Sequence, residues 1–267
     1  MPLTDWGFLV TPAEIESWIL YQDSELLIVN KPGGLVCHPS KRGPWSSLIG
    51  AAREYLGLER LHMPSRLDRE TSGVVVFAKS HAMASRLQTA IERRRVSKSY
   101  LAILKGTLDG PLTVDQPIGP ADGAIVVSRQ AVRTDGKPAV TEFEPYGHAH
   151  GFTLARVRPV TGRMHQIRVH AAWLGCPVAG DKIYGPDENH YLEFVKNGFT
   201  ENLRRQLLVS RQLLHAVEVR FPDIPSPLAP MPEDMTGFWA SQALDYSDEA
   251  HDLVSGAGVR CRADPTG

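Results

Sequence analysis

Apolar positions along the chain follow two spacings. One is the unbroken run Val74-Val75-Val76-Phe77-Ala78, rich in β-branched side chains and preceded by Thr71-Ser72-Gly73. A short apolar run bounded by turn residues predicts a buried strand, here one entered through a Thr-Ser-Gly turn. Stretches at residues 25–30, 98–106, 139–144, 152–158 and 217–221 predict further strands, the first of them stopping at Lys31-Pro32-Gly33-Gly34. The other spacing is helical. Thr11-Pro12-Ala13-Glu14 has the form of a capping box with Pro at the first helical position, and Ile15, Trp18 and Ile19 follow at helical spacing. Ser46 or Ser47 caps a helix carrying Leu48, Ala52, Tyr55 and Leu56 on one face. Ser80 caps another, with Met83, Leu87 and Ile91 facing inward and Arg93-Arg94-Arg95 at its end. Residues 171–175 read as helix running to a Gly stop, and residues 186–211 as a polar, helical insertion. Between 108 and 138 Gly, Pro and Asp dominate, so hairpins and a long loop are expected, with turns at Asp122-Gly123 and Asp135-Gly136.

Composition narrows the class without naming a function. At 267 residues, 42% hydrophobic and 22% charged, the chain has ample material for a core. No apolar run reaches the roughly 18 residues of a membrane span. The start, MPLTDWGFLV, has no basic region of the kind that opens a secretory signal. Cys37, Cys176 and Cys261 are odd in number and far apart, which argues against a disulfide framework and predicts a reduced, cytoplasmic setting. The net charge of −1 hides an asymmetry: residues 221–259 hold seven acids and no Lys or Arg. Residues 1–220 carry 27 Lys and Arg against 22 Asp and Glu, a modestly positive body that suits a polyanionic ligand.

Candidate chemistry concentrates in two runs. In Ser65-Arg66-Leu67-Asp68-Arg69-Glu70-Thr71-Ser72-Gly73, Asp68 lies between two arginines just ahead of the strand. Nearby positive charge favours the ionised carboxylate, so Asp68 fits a nucleophile or a general base. It fits equally a structural Asp that ties down a turn. In Thr161-Gly162-Arg163-Met164-His165-Gln166-Ile167-Arg168-Val169-His170 the two histidines are five residues apart, whereas helical zinc pairs sit four apart. Arg93, Arg94 and Arg95 have two readings: cations favoured by a helix C-terminus, or an edge for phosphates. Lys31 before its turn is read as solvated, with a phosphate contact as the alternative.

Arg66-Leu67-Asp68-x-x-Thr71-Ser72-Gly73 resembles the catalytic signature of the RluA-type pseudouridine synthases, which isomerise uridine within RNA. Thr161-Gly162-Arg163-x-His165-Gln166-Ile167-Arg168-x-His170 is similar to a second block of that family over its full length. Asn30-Lys31-Pro32, His38-Pro39-Ser40, Lys98-x-Tyr100 and Gly180-Asp181-x-x-Tyr184-Gly185 extend the likeness from about residue 21 to 232. Ser65 stands where the family usually has His, with His62 three residues earlier.

The resemblance implies an α+β fold: a long mixed, mainly antiparallel β-sheet flanked by helices, in two subdomain halves with a central RNA-binding cleft. It implies a catalytic domain over residues 21–232, an N-terminal extension over 1–20, and a partly disordered acidic tail over 233–267. The likeness is to the short form, without a separate N-terminal RNA-binding domain. Asp68 is then the catalytic nucleophile or base. Arg66 fills the space left by a flipped uridine, Tyr100 stands against the uracil, Arg168 pairs with the catalytic Asp, and Ile167 supports the site. Arg69, Arg93, Arg94, Arg95, Lys98, Arg163 and His165 are the expected RNA contacts, and the Gly-Asp-x-x-Tyr-Gly block is structural. No metal or other cofactor is implied. The expected partner is structured RNA, tRNA or rRNA, met by a monomer. A hydrolytic glycosidase would need a second carboxylate about 5–9.5 Å away, for which only Glu70 is close in sequence. The alternative of a non-catalytic RNA-binding protein on the same fold would be signalled by loss of Asp68, which is present.

Overall fold

The computed structural model describes residues 3–4, 7–38, 43–242 and 254. In chain order, β1 (Leu3–Thr4), β2 (Gly7–Phe8), α1 (Pro12–Trp18), β3 (Ile19–Gln22) and β4 (Leu26–Lys31) come first. A 3-10 turn (Pro44–Ser46), α2 (Leu48–Leu56), β5 (Ser72–Ala78), α3 (His81–Glu92) and β6 (Ser97–Lys105) follow. Next are β7 (Leu112–Asp115), β8 (Ile118–Pro120), β9 (Gln130–Val132), β10 (Val140–Ala149) and β11 (Phe152–Pro159). The chain then runs through α4 (Gln166–Trp173), α5 (Asn189–Asn197), α6 (Glu201–Leu207), β12 (Leu214–Arg220) and α7 (Glu233–Ser241). The fold is α+β, with mainly antiparallel strands flanked by helices. No helix among the described residues is long and apolar enough to cross a membrane.

The chain divides into two compact units. One holds Met1–Lys98, Ala216–Pro232 and Asp252–Gly267, the other Ser99–His215 and Glu233–His251. In the first unit the strand order is β3-β4-β5 followed by residues 216–220 of β12. β4 and β5 run antiparallel from Leu26 opposite Ala78 to Lys31 opposite Gly73. Their apolar residues divide by alternation, as side chains on a strand must. Leu27, Val29, Val75 and Phe77 pack with Ile15, Leu48, Ala51 and Ala52, while Leu26, Ile28, Val74 and Val76 pack with Met83, Leu87 and Phe221. Burial on both faces is why Val74 to Ala78 shows no polar alternation. Local chemistry starts the helices: Thr11 and Glu14 close the capping box of α1, Ser47 accepts from Gly50 N–H for α2, and Ser80 from Met83 N–H for α3.

In the second unit residues 99–105 of β6 border β11, followed by β10 and β7. The pairs β6–β11, β11–β10 and β10–β7 are antiparallel, with a bulge in β10 between Pro145 and Gly147. α4 places Val169 against Ile118, Ala139, Ile183 and Tyr184.

One strand boundary differs from the sequence expectation, and two segments outside the expected catalytic bounds form helices with buried residues. Ser72 and Gly73 already belong to β5 rather than to a turn. Gly73 has φ +114, and a Cβ there would lie 2.1 Å from the Ala216 carbonyl oxygen, so only Gly admits the neighbouring backbone. Residues 12–18 of the expected extension form α1, whose Ile15 is fully buried in the first unit's core. Residues 233–241 of the expected tail form α7, with Met235 and Trp239 buried and Phe238 edge-on to Phe152 at 5.1 Å. The acids there read as solvated tail, but Glu233 and Asp234 occupy the helix's first turn, where its dipole favours them. Except for Val254, the tail beyond Gln242 lies outside the described residues, as do Pro39 and Ser40 of the first block.

Candidate active site

In the first unit Asp68 sits on a loop whose main chain is tied to the turn after β4. Gly34 N–H donates to the Arg69 carbonyl at 2.8 Å, and Arg69 Nε donates back to the Gly34 carbonyl at 3.1 Å. Lys31 completes the tie. Its Nζ donates to the carbonyls of Pro32 at 2.8 Å, Leu35 at 2.9 Å and Arg69 at 3.0 Å, and the residue is fully buried. The sequence reading of Lys31 as solvated or phosphate-bound is therefore corrected. A buried ammonium must have its donors satisfied, and three carbonyls turned toward it do so. Thr71 N–H closes the turn on the Asp68 carbonyl at 3.2 Å. Asp68 itself is half-buried.

Arg66 is exposed, and its guanidinium meets Nε2 of His38. Desolvation and then the Arg66 charge push the His38 imidazole below its ordinary pKa, which favours the neutral ring that accepts from Arg66. Beneath the loop, burial pushes the Cys37 thiol up. Arg69 spends its Nε on Gly34. Arg93, Arg94 and Arg95 lie exposed just past α3, with Arg94 at φ +53. Lys98 is half-buried, and desolvation lowers its pKa.

In the second unit the Thr161-to-His170 run is organised by side chains. Gln166 Oε1 accepts from Thr161 Oγ1 at 2.7 Å and Arg163 N–H at 3.0 Å. Gln166 Nε2 donates to the Val140 carbonyl at 2.8 Å and to Thr141 Oγ1 at 2.9 Å. This bracket lets α4 start at Gln166 although His165, its cap residue, is left-handed at φ 55 and offers no side-chain cap. The two histidines bond different partners. His165 Nδ1 bonds the Tyr184 hydroxyl at 2.8 Å, while His170 bonds Thr141 Oγ1 at 2.8 Å and the Gln116 carbonyl at 2.9 Å. Arg163 Nε donates to the Pro138 carbonyl at 3.0 Å. Among the described residues no group of three or more His, Cys, Asp or Glu is placed to hold a metal.

Arg168 carries a further device. Its Nε donates to Asp181 Oδ2 at 2.6 Å and its Nη2 to Oδ1 at 2.8 Å, and the guanidinium lies 4.9 Å from the centre of the Tyr184 ring. Oδ1 also accepts from the amides of Ile183 at 2.9 Å and Tyr184 at 3.0 Å. Burial alone would raise the Asp181 carboxyl. The Arg168 charge and these bonds outweigh it and hold the carboxyl below its usual range. Tyr184 in turn accepts from Gln130 N–H at 2.8 Å. Tyr100 and Ile167 are buried at 8% and 6% exposure.

Lys31, Gln166, Asp181 and Tyr184 were not among the residues singled out for the site. A signal existed for Asp181: it stands with Lys182 inside the otherwise apolar and Gly-containing run 177–185, and a carboxylate buried there must find a cation or several donors. Nothing local points from Lys31 to Arg69, which is 38 residues away.

Residues 25–173 match the model of a family described as RNA pseudouridylate synthase. The chain is 32% identical over 251 residues to the ribosomal large subunit pseudouridine synthase D of Escherichia coli (strain K12), spanning 91% of this chain and 75% of that protein. It is 32% identical over 248 residues to the protein of that name from Haemophilus influenzae, spanning 88% and 74%. Among solved structures, human RNA pseudouridylate synthase domain containing 4 superposes with a TM-score of 0.70 at 27% identity, covering 88% of this chain and 96% of that one. Human RNA pseudouridylate synthase domain containing 1 shares the fold, with a TM-score of 0.66 at 23% identity over 93% and 96%.

Proposed function

Because the chain belongs to the RNA pseudouridylate synthase family, and so is an isomerase acting on uridine in RNA, we propose that Asp68 carries its chemistry. Pseudouridine formation breaks the bond between uracil nitrogen and ribose, turns the base, and rejoins it through carbon. Asp68 serves as the nucleophile at the sugar or as the base that removes a sugar proton. The target uridine must leave the stack to be reached, as for other enzymes acting on bases. Arg66, exposed beside Asp68 in sequence, is assigned to the vacated space. Tyr100 supplies a ring and a hydroxyl to the uracil, and Arg168 and Ile167 support the site. Arg93, Arg94, Arg95, Lys98, Arg163 and His165 are assigned to RNA, with the outer part of Arg69.

The observation that most supports Asp68 is the clamp on its loop. Lys31 and Gly34 hold the neighbouring Arg69 carbonyl at 3.0 and 2.8 Å, which limits drift of a reacting group. A misplacement of about 1 Å can cost on the order of a hundredfold in rate. Asp68→Asn keeps the size and removes the charge, so it should bind RNA and fail to isomerise it. Tritium release from RNA carrying 5-tritiated uridine measures this, and release at near wild-type rate would overturn the assignment.

For the substrate, the names of the relatives favour large-subunit ribosomal RNA over transfer RNA. Carbodiimide labelling of both RNA classes, with and without the gene, decides between them. The enzyme is proposed to act as a monomer in the cytoplasm; light scattering and fractionation test both points.

A further inference from the structure

We infer that a cavity beside α2, in the unit that carries Asp68, is a second RNA subsite. It would take one nucleotide of the substrate strand away from the target uridine, with the phosphate at Arg53 and Arg60. This rests on the reading of the chain as a pseudouridine synthase.

The cavity has a volume of about 430 Å³, within the range of small-ligand pockets. Pro44, Ile49 and Leu61 give it apolar wall, and Arg53, Arg60 and His62 give it basic edge. Glu59 is the carboxylate that also lines it. Guanidinium groups take a phosphate by charge and paired hydrogen bonds, and the apolar wall beside them desolvates one face of the attached base. Arg60 is exposed. Arg53 is engaged by its neighbour Glu54 at 2.7 Å, with both side chains about 40% exposed. Such a surface pair is worth at most about 1 kcal/mol, so a phosphate competes with it.

The walls stand on regular structure. Arg53 and Ile49 belong to α2. His62 exchanges two backbone bonds with Ala78, its N–H donating at 3.0 Å and its carbonyl accepting at 2.9 Å. Pro44 sits directly on α2 because residue 50 is Gly: a Cβ there would lie 2.2 Å from the Pro44 carbonyl oxygen. Position separates the His62 wall of this cavity from the catalytic loop. His62 lies at the Ala78 end of β5, whereas Asp68 precedes its Ser72 end. A strand of that length spans about 20 Å at roughly 3.3 Å per residue. A nucleotide bound here therefore flanks the target and adds affinity without touching the reacting bond.

The test compares wild type, Arg53→Gln/Arg60→Gln and Arg53→Lys/Arg60→Lys on the RNA found to be modified. Affinity is measured across salt, and the rate is measured with excess enzyme. The Gln pair should flatten the slope of log affinity against log salt by about 0.7–0.9, the value of one phosphate contact. Its bound-state rate should stay within twofold of wild type, and the Lys pair should keep the wild-type slope. Calorimetry with inorganic phosphate forms the second arm. An unchanged slope for the Gln pair overturns the proposal, and saturable phosphate binding alongside that unchanged slope reassigns the cavity to a free phosphate compound. A wild-type chain that binds RNA without isomerising it would instead sink the functional reading and leave the slope comparison standing.

Discussion

Around Asp68 side-chain donors hold main-chain carbonyls, whereas around Arg168 side chains mostly hold one another. In the first region one ammonium, Lys31, gathers three carbonyls, and Gly34 and Arg69 exchange bonds. Of the residues on this loop, Arg66 is exposed and Asp68 half-buried. In the second region Gln166, His165, Arg168, Asp181 and Tyr184 are spent on a connected network, and Arg168 and Asp181 are both nearly or fully buried. Of two runs of similar length, one is fixed through its backbone and the other through its side chains. The difference has an energetic basis. A backbone clamp tolerates exchange of the side chains it presents. A buried charge pair tolerates little, because removing one partner strands the other without solvent.

The largest stability effect should come from the second region. Asp181→Asn removes the negative charge that two Arg168 donors meet in a buried site, at a cost of about 3–5 kcal/mol. The sign with pH follows from the depressed carboxyl. Its stabilisation is present above the unfolded carboxyl value of about 3.9 and is lost as pH falls through the lower folded value. Denaturant unfolding of wild type and variant should thus show a wide gap at neutral pH that closes in acid. A gap constant down to low pH would break the comparison, since the network would then owe nothing to the charge.

A smaller effect is expected at the clamp. Lys31→Met keeps the apolar stem and withdraws the donor from three carbonyls, costing about 2–3 kcal/mol. Its signature is functional as well: turnover should fall more than RNA affinity does. If turnover holds while stability drops, the clamp is only a fold element and does not position Asp68.

The smallest effect concerns residues in neither device. Changing Arg93, Arg94 and Arg95 together to Gln should alter stability by no more than about 0.3–1 kcal/mol per residue. It should flatten the salt dependence of RNA binding by roughly 0.7–0.9 for each phosphate no longer neutralised. A change in stability with an unaltered slope would return the triplet to its helix-end role.

Much of this was legible in the residues, element by element. The capping box at Thr11 and Glu14, the Ser47 and Ser80 caps, and the buried Val74-to-Ala78 strand depend on neighbours within a few positions. Periodicity carries such information because helices and strands repeat locally. The two signature runs were legible too, since each is contiguous. Which of their side chains would be spent on support was not. Arg168 meets Asp181 across 13 residues and Lys31 meets Arg69 across 38, so neither pairing exists until the chain has folded. The acids of α7 were equally silent, because Met235 and Trp239 beside them in sequence count as core only once there is a surface to bury them. The sequence by itself thus determined the local elements and the chemistry on offer. Tertiary structure decided which charges were desolvated and by what they were answered, because the cost of burying a charge depends on every group that arrives around it.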